Sequence, residues 1–505
     1  MARDDDGGRL LMSAGLIPFA VLATSLIPAV VIFLLPDDAT RWRTTLNLGG
    51  AAAKVALVAA LIPAAVDGER FEWRSEFVPG VDLVLRVEPF ALYFLALSSV
   101  LWLVTTIYAV GYFRDTPGRS RFFGFFSLCV VATTGIALAG NPVTFVIFYE
   151  LLTLVTYPLV VHERSAAAIA GARTYLIHTL IGGVPLLIGV VWLTERVGSI
   201  DFADRGSDAM TEFAAREPVA ATAIFALIVA GLAVKAALIP VHGWLPRAMV
   251  APAPVSALLH AVAVVKAGVF GIVLLVDYTY GVEVAERLGV LTPLAVLASA
   301  TIVYGSVMAL RHNGIKARLA YSTVSQVAYV TLGVAIVSAT ATTGGIAHIV
   351  NQGLMKITMF FCAGLFAVVL GITRISELDG VGRRMPVTSA AFTVAAVGMI
   401  GIPPMAGFLS KWYLAVGSVE AGQPWVLGVL VASSLLNAAY FFPIVYRLWW
   451  KIGEHERVTG IEAPPTLLVP AAVTAVATVV VGLVAGWIYS PLNLARIITE
   501  GIYGL

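Results

Sequence analysis

Stretches of apolar residues long enough to cross a bilayer, parted by short polar breaks, recur from one end of the chain to the other. They fall at 10–35, 44–66, 89–112, 122–140, 143–162, 171–194, 218–248, 253–276, 288–310, 317–339, 343–371, 386–418, 424–449 and 465–489. A hydrocarbon core of about 30 Å takes about 20 helical residues, so this pattern predicts fourteen membrane-spanning helices. Two polar breaks are longer than the rest. In Asp67 to Glu88 the runs FEWRSEF and VDLVLRV predict a small hairpin, whereas Glu195 to Glu217 is charged and reads as partly irregular.

Composition fixes the surroundings. The chain is 59% hydrophobic and 12% charged, with a mean hydropathy of +0.92, whereas a soluble domain carries about a quarter charged residues. The fold class is therefore an all-α polytopic membrane protein. A net charge of +2, with no basic run interleaved with aromatics, speaks against a nucleic-acid partner. Cys129 and Cys362 are the only cysteines and lie inside apolar runs, so neither a disulfide framework nor a cysteine metal site follows. The opening MARDDDGG is acidic and leads into a full span, unlike a cleaved signal peptide.

Lys and Arg are shared unevenly between alternate loops. One set holds seventeen, among them Arg41, Arg43, Arg119, Arg164, Lys316, Arg318 and Arg457; the other holds ten, among them Arg3, Arg9, Arg70, Arg86 and Arg196. Cytoplasmic loops carry the excess, so both termini are expected outside the cytoplasm.

Two runs are too long for one span. Residues 218–248 and 386–418 would each reach about 46–50 Å as helix. Each carries proline near its middle, PVHGWLPR from Pro240 and PMAGFLSK from Pro404, and the two align without a gap. A weaker echo relates ELLTLVTY at Glu150 to STVSQVAY at Ser322. The partners are five spans apart, an odd offset that gives the two units opposite membrane orientation, as in inverted-repeat transporters. The expected organisation is helices 1–3 and an outer loop (1–121), a first repeat of helices 4–8 (122–276), a second of helices 9–13 (288–449), and helix 14 with the tail (450–505). Proline frees backbone carbonyls, and at membrane depth these are tolerated only inside protein or beside water. Each broken helix thus implies a hydrated interior.

Charged side chains stand beside these breaks. Lys235, His260 and Lys266 fall in a stretch, Val234 to Gly268, that has four prolines between its lysines and no Asp or Glu. A lysine at bilayer depth costs about 2.5–3.5 kcal/mol and needs a partner or water. The blander reading is a lysine near a helix end that snorkels to the interface; four lysines in separate spans weigh against it. His260 and Lys266 are about 120° apart on a regular helix, so aligning them requires a local bulge. His162, His178 and His242 read as structural or loop histidines and His312 as part of a basic loop.

From about Phe90 to Tyr446 the chain resembles the proton-conducting subunits shared by Mrp-type multisubunit cation/proton antiporters, respiratory complex I and membrane-bound hydrogenases. The resemblance is carried by FVIFYELLTL (Phe145 to Leu154), HGWLPRAMVAPAPVSALLHAVAVVKAGV (His242 to Val269), LAYSTVSQVAY (Leu319 to Tyr329), HIVNQGLMKITMFFCAG (His348 to Gly364) and GIPPMAGFLSKWYL (Gly401 to Leu414). It implies a glutamate on the fifth span, Glu150, working with Lys235 on the seventh, and further bases at Lys266, Lys356 and Lys411, with His260 and His348 beside the path. Two positions depart from the family pattern. Arg247 stands where an acid usually follows H-x-W-L-P, and Gln352 stands where the motif usually has histidine. Glutamine does not titrate near neutral pH, so that link must run through water or His348.

The residues support the same chemistry. A proton arriving at Glu150 would leave Lys235 unpaired in an apolar interior, and desolvation then favours release of the lysine's own proton. Length and motifs resemble the D-type Mrp subunit best, which implies a proton-translocating component of a Na⁺/H⁺ antiporter in a bacterial or archaeal cell membrane, with other membrane subunits, H⁺ and a monovalent cation as partners. The alternative is a proton-pumping subunit of a redox-driven NADH dehydrogenase or hydrogenase; a scaffold without transport is the third class. No phosphate loop or Cys/His cluster appears, so no cofactor or metal is expected on this chain, and a catalytic site is not expected either.

Overall fold

The computed structural model describes residues 4–114, 116–452 and 462–505. Arg3 and Arg457, counted in the charge asymmetry, lie outside the described residues, as does the side chain of Arg9. Helices α1 (Asp4–Leu34) and α2 (Thr40–Val66) lead to a hairpin of β1 (Phe71–Val78) and β2 (Val81–Val87). There follow α3 (Pro89–Tyr112), α4 (Arg119–Leu138), α5 (Pro142–Val160), α6 (Ala166–Val197) and a short helix, α7 (Asp208–Arg216). Next come α8 (Pro218–Lys235), α9 (Trp244–Arg247), α10 (Ala253–Ala261), α11 (Val264–Val273), α12 (Val282–Arg287), α13 (Leu291–Arg311), α14 (Ile315–Ala335) and α15 (Ala339–Leu370). The chain closes with α16 (Val381–Arg384), α17 (Pro386–Ile400), α18 (Ala406–Glu420), α19 (Trp425–Trp449), α20 (Pro465–Leu483) and α21 (Pro491–Tyr503).

Each of the fourteen expected spans coincides with helix. Among the described residues, twelve helices are long and apolar enough to cross a membrane. The two remaining expected spans differ for physical reasons. α14 has the length, but its sequence is diluted by Lys316, Arg318 and a run of Ser, Thr and Gln; the twelfth is split into α17 and α18, 15 residues each.

Burial sorts the helices. The window spanning Ala253–Tyr280 is wholly buried and α15 is 78% buried, whereas α2, α19 and α20 turn two thirds or more of theirs outward. A helix apolar all round belongs at the centre, and the outer helices present their Leu, Val and Ile to lipid. The hairpin between α2 and α3 forms as expected, with Glu72 opposite Arg86 and Arg74 opposite Val84. Arg86 bridges Glu72 and Asp201 at 2.7 Å each, pinning the hairpin to the loop between α6 and α8. That loop is partly irregular, as expected: its second half forms α7, which Ser207 caps by accepting from the Met210 amide.

Candidate functional site

Both long runs break at proline. α8 ends at Lys235, Ala237 takes a left-handed conformation, and after a 3₁₀ turn at Val241–Gly243 α-helix resumes at Trp244. The Val234 carbonyl accepts from the Ala237 amide at 3.2 Å and from the Trp244 indole at 2.6 Å, and the Ile239 amide donates to Thr301 Oγ1 at 3.2 Å. In the second run α17 stops at Ile400 and α18 begins at Ala406, with left-handed Gly401 between them. Glycines allow the surroundings to close on these breaks: a Cβ on Gly268 of α11 would lie 2.2 Å from the Ala236 nitrogen, and one on Gly407 2.1 Å from the Gly398 carbonyl.

The two lysines at the breaks are buried and satisfied in related ways. The Lys411 ammonium donates to the carbonyls of Met399 at 3.0 Å and Ile400 at 2.9 Å, and to Ser434 Oγ at 3.2 Å. It therefore sits at the negative end of α17, where the helix dipole favours a cation. Lys235 is itself the last residue of α8, and its ammonium donates to the Tyr149 carbonyl while lying over the Tyr149 ring.

Glu150 is placed differently from the expected ion pair. Its carboxylate is within electrostatic range of Lys235, but among the described residues the two make no salt bridge; Lys235 is turned onto Tyr149, one residue earlier on α5. Glu150 Oε1 is buried without a hydrogen-bond partner among the described residues. Its space is made by Gly183 of α6, where a Cβ would come within 2.7 Å of that oxygen.

The bulge required between His260 and Lys266 exists. α10 ends at Ala261, the Ala263 amide reaches back five residues to the Leu258 carbonyl, and α11 resumes at Val264. His260, its ring 4.5 Å from Phe360, and Lys266 thereby both come into electrostatic range of Lys356 on α15. Neither His260 nitrogen nor the Lys266 ammonium has a hydrogen-bond partner among the described residues. His348 holds Ser410 Oγ at 2.7 Å through Nδ1 and leaves Nε2 unpartnered; both amide atoms of Gln352 are unpartnered too. Such buried polar groups are normally met by ordered water.

Lys356 and Lys411 are joined through protein. Lys356 donates to Ser322 Oγ at 2.6 Å, Ser322 meets the Tyr440 hydroxyl at 2.8 Å, and Tyr440 donates to Asn437 Oδ1 at 2.6 Å. Asn437 Nδ2 then donates to the Met399 carbonyl at 3.2 Å, the oxygen that also receives Lys411. Tyr440 and Asn437 were not singled out from sequence; their residue types carry no signal until the contact is seen.

A further buried lysine also escaped the sequence reading. Lys54 of α2 donates to Ser25 Oγ at 2.9 Å and Thr134 Oγ1 at 2.5 Å. It is the last rung of a polar seam with Arg43 on Ser120 and Asn47 on Ser127. The α4 partners recur every seven residues, a signal that was readable. Asp277, on the π-helical Leu274–Tyr280, is also fully buried, with neither oxygen partnered among the described residues. Of the histidines read as structural or loop residues, His162 packs on Phe113 and Phe122. His178 and His312 bond carbonyls on their own helices, and His242 packs on Tyr304. Arg247 is exposed, and both cysteines are free and buried.

Residues 139–437, which include both breaks and Lys235, Lys266, Lys356 and Lys411, match the family described as NADH:quinone oxidoreductase/Mrp antiporter, TM. The chain belongs to this family. Among its relatives is NADH-quinone oxidoreductase subunit N of Desulforudis audaxviator, 32% identical over 92% of this chain and 95% of the relative. Another is a probable K(+)/H(+) antiporter A/B subunit of Rhizobium meliloti, 32% identical over 82% of this chain and 40% of that longer protein. The fold recurs in a chain of the Mrp complex from Dietzia sp. DQ12-45-1b, with a TM-score of 0.86 at 24% identity, covering 97% of each chain. It recurs again in the membrane-bound sulfane sulfur reductase, an archaeal respiratory membrane complex, with a TM-score of 0.85 at 21% identity, covering 96% of this chain and 97% of that one.

Proposed function

We propose that this subunit translocates protons along Glu150, Lys235, Lys266, Lys356 and Lys411, with His260 and His348 beside the path, inside a larger membrane assembly. The observation that carries the reading is the burial of four lysines from four spans in one interior, two of them at helix breaks and none in a salt bridge among the described residues. Structural lysines at such depth would be expected in ion pairs. Lysines held only by carbonyls, hydroxyls and water can lose and regain a proton, and each charge change alters its neighbours through a low-dielectric interior. The repeats at 122–276 and 288–449, of opposite orientation, would supply one broken helix each, and the termini would face away from the cytoplasm of a prokaryotic cell.

For the parent assembly we favour a Mrp-type monovalent cation/H⁺ antiporter, with this chain as its D-type component and Na⁺ or K⁺ as the exchanged ion. A redox-driven proton pump is the second reading, favoured by the near full-length match to a NADH-quinone oxidoreductase subunit N. Everted vesicles carrying the chain with its co-purifying partners distinguish the two: cation addition dissipates a pH gradient in an antiporter, whereas a reductant builds one in a pump. Lys411→Ala should abolish either activity while the assembly still forms. Normal transport by that variant, or robust antiport by the purified chain alone in liposomes, would refute the proposal.

A further inference from the structure

Resting on that reading, we infer that Tyr440 and Ser322 are positioning residues that report the charge state of Lys356 to the break holding Lys411. Hydrogen positions in this chain are constrained by its members. Tyr440 has one hydroxyl proton and gives it to Asn437 Oδ1, so Ser322 must donate to Tyr440, while Ser322 accepts from the Lys356 ammonium. Every bond then points from Lys356 towards Asn437, whose other end donates to the Met399 carbonyl that also receives Lys411.

When Lys356 gives up its proton the amine gains a lone pair. The Ser322 hydroxyl turns to donate to it, Tyr440 turns to donate to Ser322, and Asn437 Oδ1 loses its donor. Only hydroxyl rotations are involved. No proton passes through the asparagine amide, which is too weak a base to carry one, so the chain is a signal and not a conduit. The Asn437 amide, no longer anchored at its oxygen, holds the Met399 carbonyl less firmly, and the cradle of Lys411 changes with it.

The surroundings suit such a device. Tyr440 is fixed from behind by Arg318, whose guanidinium donates to the Tyr440 carbonyl at 2.9 Å. Lys356 is in electrostatic range of His260 on α10, Lys266 on α11 and His348 on its own helix, and faces the ring of Phe441 on α19, while Tyr329 flanks Tyr440. Among these, the hydroxyl and amide groups named above provide the direct hydrogen-bonded link between the two lysines.

The test uses the intact assembly in everted vesicles, with proton transport measured across pH 6–9. Tyr440→Phe and Ser322→Ala should each slow transport by about tenfold, the value of one well-placed buried hydrogen bond, and both should displace the pH profile in the same direction. The double variant should match the single ones, since the signal is cut once. Ser322→Thr, which restores a hydroxyl, should return the profile. An unchanged profile, or losses that multiply in the double variant, would overturn the inference. Should Tyr440→Phe fail to assemble, Ser322→Ala against Ser322→Thr decides alone. Lys411→Ala in the same membranes separates the two claims: if it is inactive while Tyr440→Phe and Ser322→Ala behave as wild type, the proton path stands and the reporting chain does not.

Discussion

The ammonium of Lys235 lies 3.4 Å from the centre of the Tyr149 ring and donates to the carbonyl of that same residue. One aromatic residue thus holds the lysine at the end of the first half of a broken helix. It does so without a countercharge in contact, leaving the lysine free to respond to Glu150, the next residue on α5. A desolvated cation over an aromatic face is worth about 2 kcal/mol. Tyr149→Leu, which removes the ring and keeps the carbonyl, should lower proton transport in vesicles by more than tenfold. Tyr149→Phe should retain the larger share, because the tyrosine hydroxyl has no hydrogen-bond partner among the described residues to lose. Equal activity in the two variants would show that the ring does not hold the lysine.

Gly183 tests the placement of the carboxylate. A methyl group there would stand 2.7 Å from Glu150 Oε1, closer than contact allows. The carboxylate can swing away at little cost, so Gly183→Ala should assemble normally and melt within about 1 kcal/mol of the native protein. Transport should nonetheless drop severalfold, because Glu150 no longer occupies the space beside Lys235. Native transport in Gly183→Ala would show that the position of the carboxylate is not critical.

Span positions were legible because length and apolarity are local properties. Pro89–Tyr112 matches its expected run at both ends, and each broken helix was announced by excess length with a central proline. The bulge after His260 was legible as a geometric necessity. Glu150 facing Tyr149-bound Lys235 was not, because turning a lysine through one bond is below the resolution of a sequence motif. Nor was the Ser322–Tyr440–Asn437 chain, whose members lie on two helices more than a hundred residues apart. α21 was missed for a different reason: it follows the last apolar run, and its Ser490–Pro491 start is a capping signal that a search for spans passes over. It is tied back to the core by Tyr503, whose hydroxyl lies 3.1 Å from Thr342 Oγ1.

Glu88, just outside α3, should give the fold a pH-dependent stability. Burial, offset in part by Arg86 and Arg70, raises its carboxyl to about 7. The folded state therefore binds this proton more tightly than the unfolded chain does. Stability is fullest below the ordinary carboxylate range, falls as pH rises from about 4.5 to about 7, and stays at the lower level above that. Glu88→Gln should flatten this part of the profile and raise the melting temperature of the detergent-purified assembly at pH 8 while leaving pH 5 nearly unaltered. A variant that melts lower at both pH values would mean that the charged form is stabilising.

Glu150 and Lys235 supply the last test, and their geometry sets its expected size. Removing one partner of a buried contact pair costs about 3–5 kcal/mol, but here the ammonium is already satisfied by Tyr149, and the carboxylate acts across a gap. Glu150→Gln and Lys235→Met should each abolish transport, since each deletes a titrating group. Their stability losses should be milder than those of a contact pair. The double variant should recover about 0.5–3 kcal/mol relative to the sum of the single losses, because neither charge is then left to face the interior alone. It should remain inactive, since nothing titrates. Thermal melting and vesicle transport across the four proteins measure both halves. Strict additivity of the melting losses would mean that carboxylate and ammonium do not sense one another, and transport would then have to begin at Lys235 without Glu150.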